Sequence, residues 1–494
     1  MTIPSGDQDA ALAAPAGRTA RALPSRVDAA PRRYDRSLVD GPLAPAVWKL
    51  AWPAVLTSVI GGMQGVVDHA LVGNYVGFSG NAAIGVSWQI LLIVIVFTSS
   101  IFTGMSVLVA RFAGQGDHET VDRVVYQSFL TAVGMSFGIM APLGYFIAPW
   151  LLTLVNATAE VQAEALPFLR IMFLFSGGMM IFFMLSNALR SAGDARTPMK
   201  LGIATTVLNV VLNVAFIRGL GPVPAFGTKG AAIGTTIAFG VVALYSTYRL
   251  WFGGWALSFP RHAARGPDWK VIRSLFRYGL PTGIQGIAMN VGGVLLLGFI
   301  GSTAHGAEAQ ATYAVGYTEL FSFITWTSQG LLGAAAAIAG QNLGAGRPAR
   351  VEEGVRVAAR FGLIGAGFVG VLFLSIPGHL LGLFGMHEPA VVAIGTQLLR
   401  VLALSGLFVT VALTYTGGLQ GTGDTKSPLY ISVVSQIIIP LGICFAVSRL
   451  STLEPLHVWL AILAGHFSRA ALSVWRFRQG KWRNIEVEVG AARA

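Results

Sequence analysis

Two stretches of this chain resemble each other and lie at a constant separation. Residues 189–198 (LRSAGDARTP) are matched by residues 419–428 (LQGTGDTKSP), about 230 positions later. The same separation relates the GQGD motif that begins at Gly114 to the GAGR motif that begins at Gly344. Because motifs far apart in the chain keep one spacing, the sequence consists of two copies of one unit, and both copies must form the same structure.

Composition shows that this repeated unit lies in a membrane. Hydrophobic residues make up 54% of the chain and charged residues 11%, against about 25% charged residues in soluble domains. Residues 130–159 and 280–305 carry no charge, and each run exceeds the roughly 20 residues that a spanning helix needs. The runs are continuously apolar rather than alternating, which predicts helices and not a barrel. We expect twelve spans: 46–72, 82–110, 122–150, 162–189, 199–218, 230–252, 271–300, 310–340, 352–376, 390–417, 428–448 and 455–475.

The predicted fold class is therefore an all-α polytopic membrane protein with twelve transmembrane helices in two pseudo-symmetric six-helix lobes. An N-lobe occupies 44–252 and a C-lobe 271–478, joined by a linker at 253–270. Residues 1–43, rich in Ala, Pro and Arg, are predicted to form a disordered cytoplasmic tail, and 479–494 a second cytoplasmic tail. In a membrane protein, matched halves are typical of transporters, with the substrate site between them.

The distribution of Lys and Arg predicts the orientation. They concentrate in both tails and in the connections after helices 2, 4, 6, 8 and 10, so the positive-inside rule places both termini in the cytoplasm, with the protein in the cell membrane. The net charge of +12 thus reflects topology and lipid contact. Nucleic-acid binding is not expected, because the basic residues are dispersed over many loops. The single cysteine, Cys444, excludes a disulfide, and no metal site is predicted.

Several motifs together resemble one family. They are Ala51-Trp52-Pro53 followed by Asp68, Asn209-Val210-Val211-Leu212-Asn213, the GQNLGAG segment at 340–346, and the two Gly-Asp turns. In these features, residues from about 44 to 478 resemble the multidrug and toxic compound extrusion (MATE) transporters. The resemblance implies two six-helix lobes around a V-shaped cavity. It also implies secondary active efflux of cationic or amphipathic drug-like compounds in exchange for H⁺ or Na⁺, by alternating access.

Asp68 is the candidate coupling residue. It is the only acid between positions 55 and 76, and an ionised carboxylate in the bilayer costs roughly 2.5–3.5 kcal/mol on insertion scales. Asn209 and Asn213, four residues apart, share one face of the fifth helix and are candidate partners for Asp68. The resemblance implies that Asp68 is the family's coupling acid, with Na⁺ possible there in place of a proton. The alternatives are a structural acid near the outer interface and ordinary polar contacts between helices.

A second polar site is possible in the other lobe. Glu319 is an intramembrane acid, and Gln285 and Asn290 are the polar residues of helix 7, so these three are the candidates for this site. The alternative is that Glu319 only pairs with a polar neighbour. Pro53 interrupts the hydrogen bonds of the first helix below Asp68 and is a candidate kink for gating. The paired turns are interpreted as structural caps, formed by Gly193, Asp194, Pro198, Gly423, Asp424 and Pro428.

Several other functions stay open. A flippase for lipid-linked saccharides, or a dedicated metabolite exporter, shares the two-lobe design, but a polyanionic cargo calls for intramembrane Arg or Lys. The mid-helix ionisable groups recognised in the sequence, Asp68 and Glu319, are acids and favour cationic cargo. An enzyme is not expected, because no catalytic constellation is found. A channel or a major-facilitator transporter is less consistent with the motifs. The expected partners are a small-molecule substrate and the lipid bilayer, with no cofactor beyond H⁺ or Na⁺, and a monomer is expected.

Overall fold

This computed structural model describes residues 37–260 and 266–489, and most of these residues lie in long helices. Within those residues there is no β-strand, and the helices form twelve successive spans. The first six are α1 (Leu43–Tyr75), α2 (Phe78–Gln115), α3 (His118–Leu154), α4a and α4b (Ala159–Leu174 and Gly177–Ser191), α5 (Arg196–Arg218) and α6 (Thr228–Phe252). The second six are α7 (Trp269–Gly301), α8a and α8b (Gly306–Tyr313 and Ser322–Gly344), α9 (Pro348–Ser375), α10 (Pro389–Thr422), α11 (Lys426–Leu450) and α12 (Pro455–Arg478).

The predicted fold class is confirmed. Of the spans in the described part of the chain, ten are individually long and apolar enough to cross a membrane, and an eleventh is the α4a–α4b pair, bent by 55°. The remaining span, α8, is interrupted by a π-helical segment, Ala314–Leu320. Most helices extend beyond the predicted spans; α2, for example, starts four residues before the predicted position 82 and ends five residues after position 110.

Local irregularities follow from the sequence. π-helical turns lie at Ser136–Met140 in α3 and Val434–Ile438 in α11, and a proline follows each of them, Pro142 and Pro440. A proline has no N–H and its ring collides with the carbonyl four residues earlier, so a wider turn at that point relieves the collision. Pro53, the candidate kink of the first helix, is not accompanied by such a turn, and α1 continues through it without a break.

Both described ends of the chain pack against the same end of the helix bundle. A short helix, Ser37–Asp40, lies within the segment that we assigned to the disordered tail, and its Leu38 is buried; residues 1–36 lie outside the described residues. The Leu38 carbonyl accepts a hydrogen bond from Asn342 at the end of α8b. After α12, Trp482 is fully buried and the Ile485 carbonyl accepts a hydrogen bond from Arg111 at the end of α2. We call this the terminal end of the bundle.

The two lobes meet there through a reciprocal contact of the repeat. α2 crosses α8b so closely that an ideal Cβ on Gly114 would lie 2.0 Å from the carbonyl oxygen of Gln341. An ideal Cβ on Gly344 would lie 2.1 Å from the carbonyl oxygen of Arg111. Each residue of one pair is the repeat counterpart of a residue in the other, so a local two-fold relation joins the lobes. Only glycine permits this approach.

Candidate functional site

Asp68 lies inside the N-lobe and is held from α5. Its side chain is 3% exposed, and its Oδ1 accepts a hydrogen bond of 2.8 Å from Nδ2 of Asn213. The same amide group donates to Oδ1 of Asn209 at 3.3 Å. The contact that the sequence suggested between α1 and α5 is therefore present. A buried polar group without such a partner would be strongly unfavourable in a bilayer.

The chain of hydrogen bonds continues into α6, which the sequence did not indicate. Asn209 donates to the hydroxyl of Thr235 at 2.9 Å, so four polar side chains from three helices form one buried series. Gly234 makes room for it, since an ideal Cβ there would collide with Oδ1 of Asn213. That same oxygen finds no hydrogen-bond donor among the described residues. The site therefore offers a carboxylate and an unused amide oxygen, both suited to a proton or a cation.

A cavity of about 340 Å³ opens one helical turn below this series. Gln64 and Gly65 of α1 line it one turn before Asp68, and Thr205 and Thr206 of α5 line it one turn before Asn209. The rest of the lining is largely aromatic and apolar and includes Trp88, Met179, Phe182, Phe183 and Phe239. Three of these rings pack edge to face or tilted against one another, with centroids 5.2–6.3 Å apart. Such a surface suits a flat apolar ligand, and cations favour the faces of aromatic rings.

The polar residues proposed for the C-lobe are not brought together. Gln285 donates to the hydroxyl of Ser432 in α11 at 2.7 Å, and Asn290 donates to a carbonyl of its own helix. Glu319 is half-buried in the π-helical segment of α8, where its carbonyl accepts a hydrogen bond from Ser322. In the described residues no hydrogen bond links these three side chains.

The repeated turns have the geometry that a structural role requires. Gly193 and Gly423 have φ of +99° and +100°, a left-handed backbone that favours glycine. Asp194 accepts hydrogen bonds from the amide and hydroxyl of Thr197, and Asp424 accepts the equivalent pair from Ser427. Pro198 and Pro428 lie in the first turns of α5 and α11. These residues cap helices at the terminal end, away from the Asp68 site.

Comparison with known proteins identifies this architecture. The MatE family model matches residues 53–215 and 281–446, one match in each half of the chain. The chain belongs to the MATE family. This membership and the twelve-helix fold agree with the resemblance carried by the sequence motifs.

Relatives of this MATE protein are transporters. It is 28% identical over 442 residues to a probable multidrug resistance protein NorM of Thermotoga maritima, covering 89% of this chain and 93% of the relative. It is 24% identical to the multidrug resistance protein MdtK of Pectobacterium atrosepticum, covering 87% and 94%. A solved outward-facing multidrug resistance MATE transporter of the MOP superfamily matches the fold with a TM-score of 0.83 at 19% identity, covering 91% and 98%. These relatives are named multidrug resistance proteins, which fits our expectation of a transporter.

One sequence inference about this MATE transporter was wrong. The mid-helix ionisable groups are not all acids, because His466 and Arg469 lie in the middle of α12 and are 3% and 5% exposed. The signal was available in the sequence, since Arg469 lies fourteen residues after the start of α12, well inside the span. Thr235 was also missed; one threonine among many in an apolar helix gives no indication that it faces Asn209.

Proposed function

We propose that this protein is a secondary active exporter that moves cationic or amphipathic drug-like compounds across the cell membrane in exchange for H⁺ or Na⁺. Asp68 is the coupling residue in this proposal, with Asn209 and Asn213 as its partners. The observation that carries it is the buried contact between Asp68 and Asn213, one helical turn above an aromatic cavity.

The chemistry of the contact suits a coupling site. An ionised Asp68 accepts the hydrogen bond from Asn213, whereas a protonated Asp68 can donate to the amide oxygen of Asn213, which is otherwise unpaired. Because an amide offers both a donor and an acceptor, Asn213 can stabilise either state of the carboxyl group. Na⁺ would use the same two oxygens in place of the proton. The buried position makes the loss of a bound cation unfavourable unless another positive charge replaces it.

Exchange follows if substrate and coupling ion compete for one negative charge. A cationic compound in the aromatic cavity would stabilise ionised Asp68, and a proton or Na⁺ bound to Asp68 would weaken the hold on that compound. Alternating access requires that the closed terminal end opens when one of these ligands is bound, and the direct α2–α8b crossing is the contact that must break. A ligand drives that change only by binding the two states with different affinities.

The cargo class rests on the cavity and on the relatives. The cavity lining is aromatic, which favours flat and cationic compounds, and the relatives NorM and MdtK are named multidrug resistance proteins. We further propose that the protein acts as a monomer, without a cofactor beyond the coupling ion, and that the terminal end faces the cytoplasm. The alternative cargo is a lipid-linked saccharide or a dedicated metabolite, and the buried Arg469 is the observation that favours an anionic group.

Dye transport in inverted membrane vesicles tests the proposal. Energised vesicles that contain the wild type should accumulate an ethidium-type dye. The pH gradient and the Na⁺ gradient are then collapsed separately, and the one whose collapse abolishes uptake identifies the coupling ion. Asp68→Asn should remove uptake. Asp117→Asn is the matched control, because Asp117 caps α3 at the terminal end and asparagine caps equally well. Unchanged uptake by Asp68→Asn would exclude Asp68 as the coupling residue, and no uptake under any gradient would favour the alternative cargo.

A further inference from the structure

The C-lobe contains a buried polar surface that the proposed function does not use. His466, Arg469 and Ser473 lie on successive turns of one face of α12, at spacings of three and four residues. None of the three is more than 5% exposed. Nδ1 of His466, Nε of Arg469 and Oγ of Ser473 each find no hydrogen-bond partner among the described residues. Buried polar atoms are rarely left unpaired, and three in a row require a common explanation.

The charge of Arg469 is also uncompensated. The ion pairs recorded for the described residues lie elsewhere, and no carboxylate of those residues pairs with Arg469. Among the described residues, Tyr317 and His466 are ionisable neighbours of Arg469, and neither of these side chain types is normally anionic at neutral pH. Water would satisfy the N–H donors but would not neutralise the guanidinium, which remains costly in the middle of a membrane span.

An aromatic wall encloses one side of this surface. The ring of His466 lies against both Tyr317 and Phe321, with centroids 6.3 and 5.9 Å away. Tyr317 in turn stacks on Tyr313 at 4.8 Å. These rings come from the π-helical segment of α8 and from the residues immediately before and after it, so this segment brings them against α12. The wall fixes the orientation of His466 and gives Arg469 surroundings of low polarity, in which its attraction for an anion is strong.

The N-lobe position that corresponds to His466 in the repeat lines a cavity. From their first residues, Thr228 and Pro455, α6 and α12 align at a separation of 227, because the connection before α12 is shorter than the one before α6. At this separation Ser246 aligns with Ser473 and Arg249 with Arg476. In this alignment His466 corresponds to Phe239, which lines the N-lobe cavity. The two lobes therefore use one structural position differently, with an aromatic ring in the N-lobe and a polar, positively charged cluster in the C-lobe.

We propose that the C-lobe contains a binding site for one small monovalent anionic group, a halide or a carboxylate, held by Arg469 with Ser473 and His466. Arg469 supplies the charge and an N–H donor, Ser473 a hydroxyl donor one turn away, and His466 a ring nitrogen that donates in one tautomer. The site is separate from Asp68 and does not depend on the coupling ion or on the direction of transport. The anion has two candidate sources, a free halide and the carboxylate of a larger compound, and the experiment below distinguishes them.

Anion-dependent thermal stability of the purified full-length protein tests this site. Wild-type protein in sodium methanesulfonate, whose anion is neither a halide nor a carboxylate, should become more stable as chloride or formate replaces methanesulfonate at constant ionic strength, and the gain should saturate. Saturation by chloride identifies a halide site and saturation by formate a carboxylate site. Arg469→Gln should weaken the apparent anion affinity by more than about tenfold, since it removes the buried charge. Arg478→Gln, at the exposed end of the same helix, should keep the wild-type affinity.

A measurement on the wild type alone guards against a variant that fails to fold. Crystals grown in bromide should show an anomalous peak beside the guanidinium of Arg469. The proposal is overturned if neither anion stabilises the wild type, if Arg469→Gln retains the wild-type anion dependence, or if chloride stabilises the wild type while the bromide data show only water at this position. Arg469→Lys should retain part of the affinity, because it keeps the charge but loses the guanidinium geometry.

Discussion

Adding one methyl group at Gly114 is expected to open the terminal end of the transporter. The Cβ of Gly114→Ala would lie 2.0 Å from the carbonyl oxygen of Gln341, whereas real Cβ contacts are essentially never closer than 3.0 Å. The obstacle is backbone of α8b and not a flexible side chain, so the helices themselves must separate by about 1 Å. Overpacking of this kind costs roughly 1–3 kcal/mol.

That free energy acts only on the state in which α2 and α8b touch. A state with these ends apart loses nothing, so a penalty of about 1–3 kcal/mol shifts the ratio of open to closed molecules by roughly 5- to 150-fold. Because the contact is reciprocal, Gly344→Ala should give a shift of similar size, and dye transport should fall in both variants. Gly134→Ala is the control, since a methyl group there would meet nothing within 4 Å.

Spin-label distances would measure the shift. The chain has a single cysteine, Cys444, so Cys444→Ser provides a background for Gln115→Cys and Ala345→Cys, a repeat-related pair beside the contact. Wild-type protein should give a short distance between the labels, and Gly114→Ala should add a longer one. If Gly114→Ala and Gly344→Ala keep both the wild-type distances and the wild-type transport, the crossing is not what closes the terminal end.

Three further predictions concern the buried polar series and the end of the chain. Asn213→Ala should reduce stability by about 1–3 kcal/mol, because it removes the hydrogen-bond donor of the Asp68 carboxyl group and of the amide oxygen of Asn209. Asn74→Ala, on the exposed side of α1, should leave the melting temperature nearly unchanged, and equal losses would contradict the account. Gly234→Ala should reduce dye uptake, because its methyl group would displace the amide oxygen of Asn213, and normal uptake would show that the series tolerates displacement. Trp482→Ala should cost roughly 3–5 kcal/mol in thermal unfolding, because Trp482 is fully buried, stacks on Phe477 at 5.1 Å and donates to its carbonyl. Trp475→Ala, which removes a ring that is 62% exposed, should cost much less, and an equal cost would contradict the account.

The sequence predicts the class of fold because length and apolarity alone identify most spans. It predicts helix ends less well, since hydropathy marks the part of a helix that lies in the bilayer and a helix such as α2 continues beyond it. Interruptions such as the bend between α4a and α4b leave no clear pattern, because they depend on how neighbouring helices pack. The interruption of α8 is also not predicted from the sequence, because it is a π-helical segment inside a run that we predicted as one continuous span.

The candidate site was predictable where spacing carries the information. Asn209 and Asn213 are four residues apart and so face one way, and a single acid in an apolar helix needs a partner. Thr235 and Gly234 were not predictable, because their role depends on the rotation of α6 against α5. The repeat showed that Gly114 and Gly344 are equivalent, but it did not show that each packs against the other copy.

The most direct test of the central claim is whether substrate and coupling ion compete at Asp68. Purified protein in weakly buffered detergent solution would be mixed with an ethidium-type dye, and released protons and Na⁺ would be measured together with bound dye. We predict that the wild type and Asp117→Asn release on the order of one such cation per dye bound, and that Asp68→Asn releases none. Equal release by Asp68→Asn, or dye binding by the wild type without release of either cation, would contradict the account.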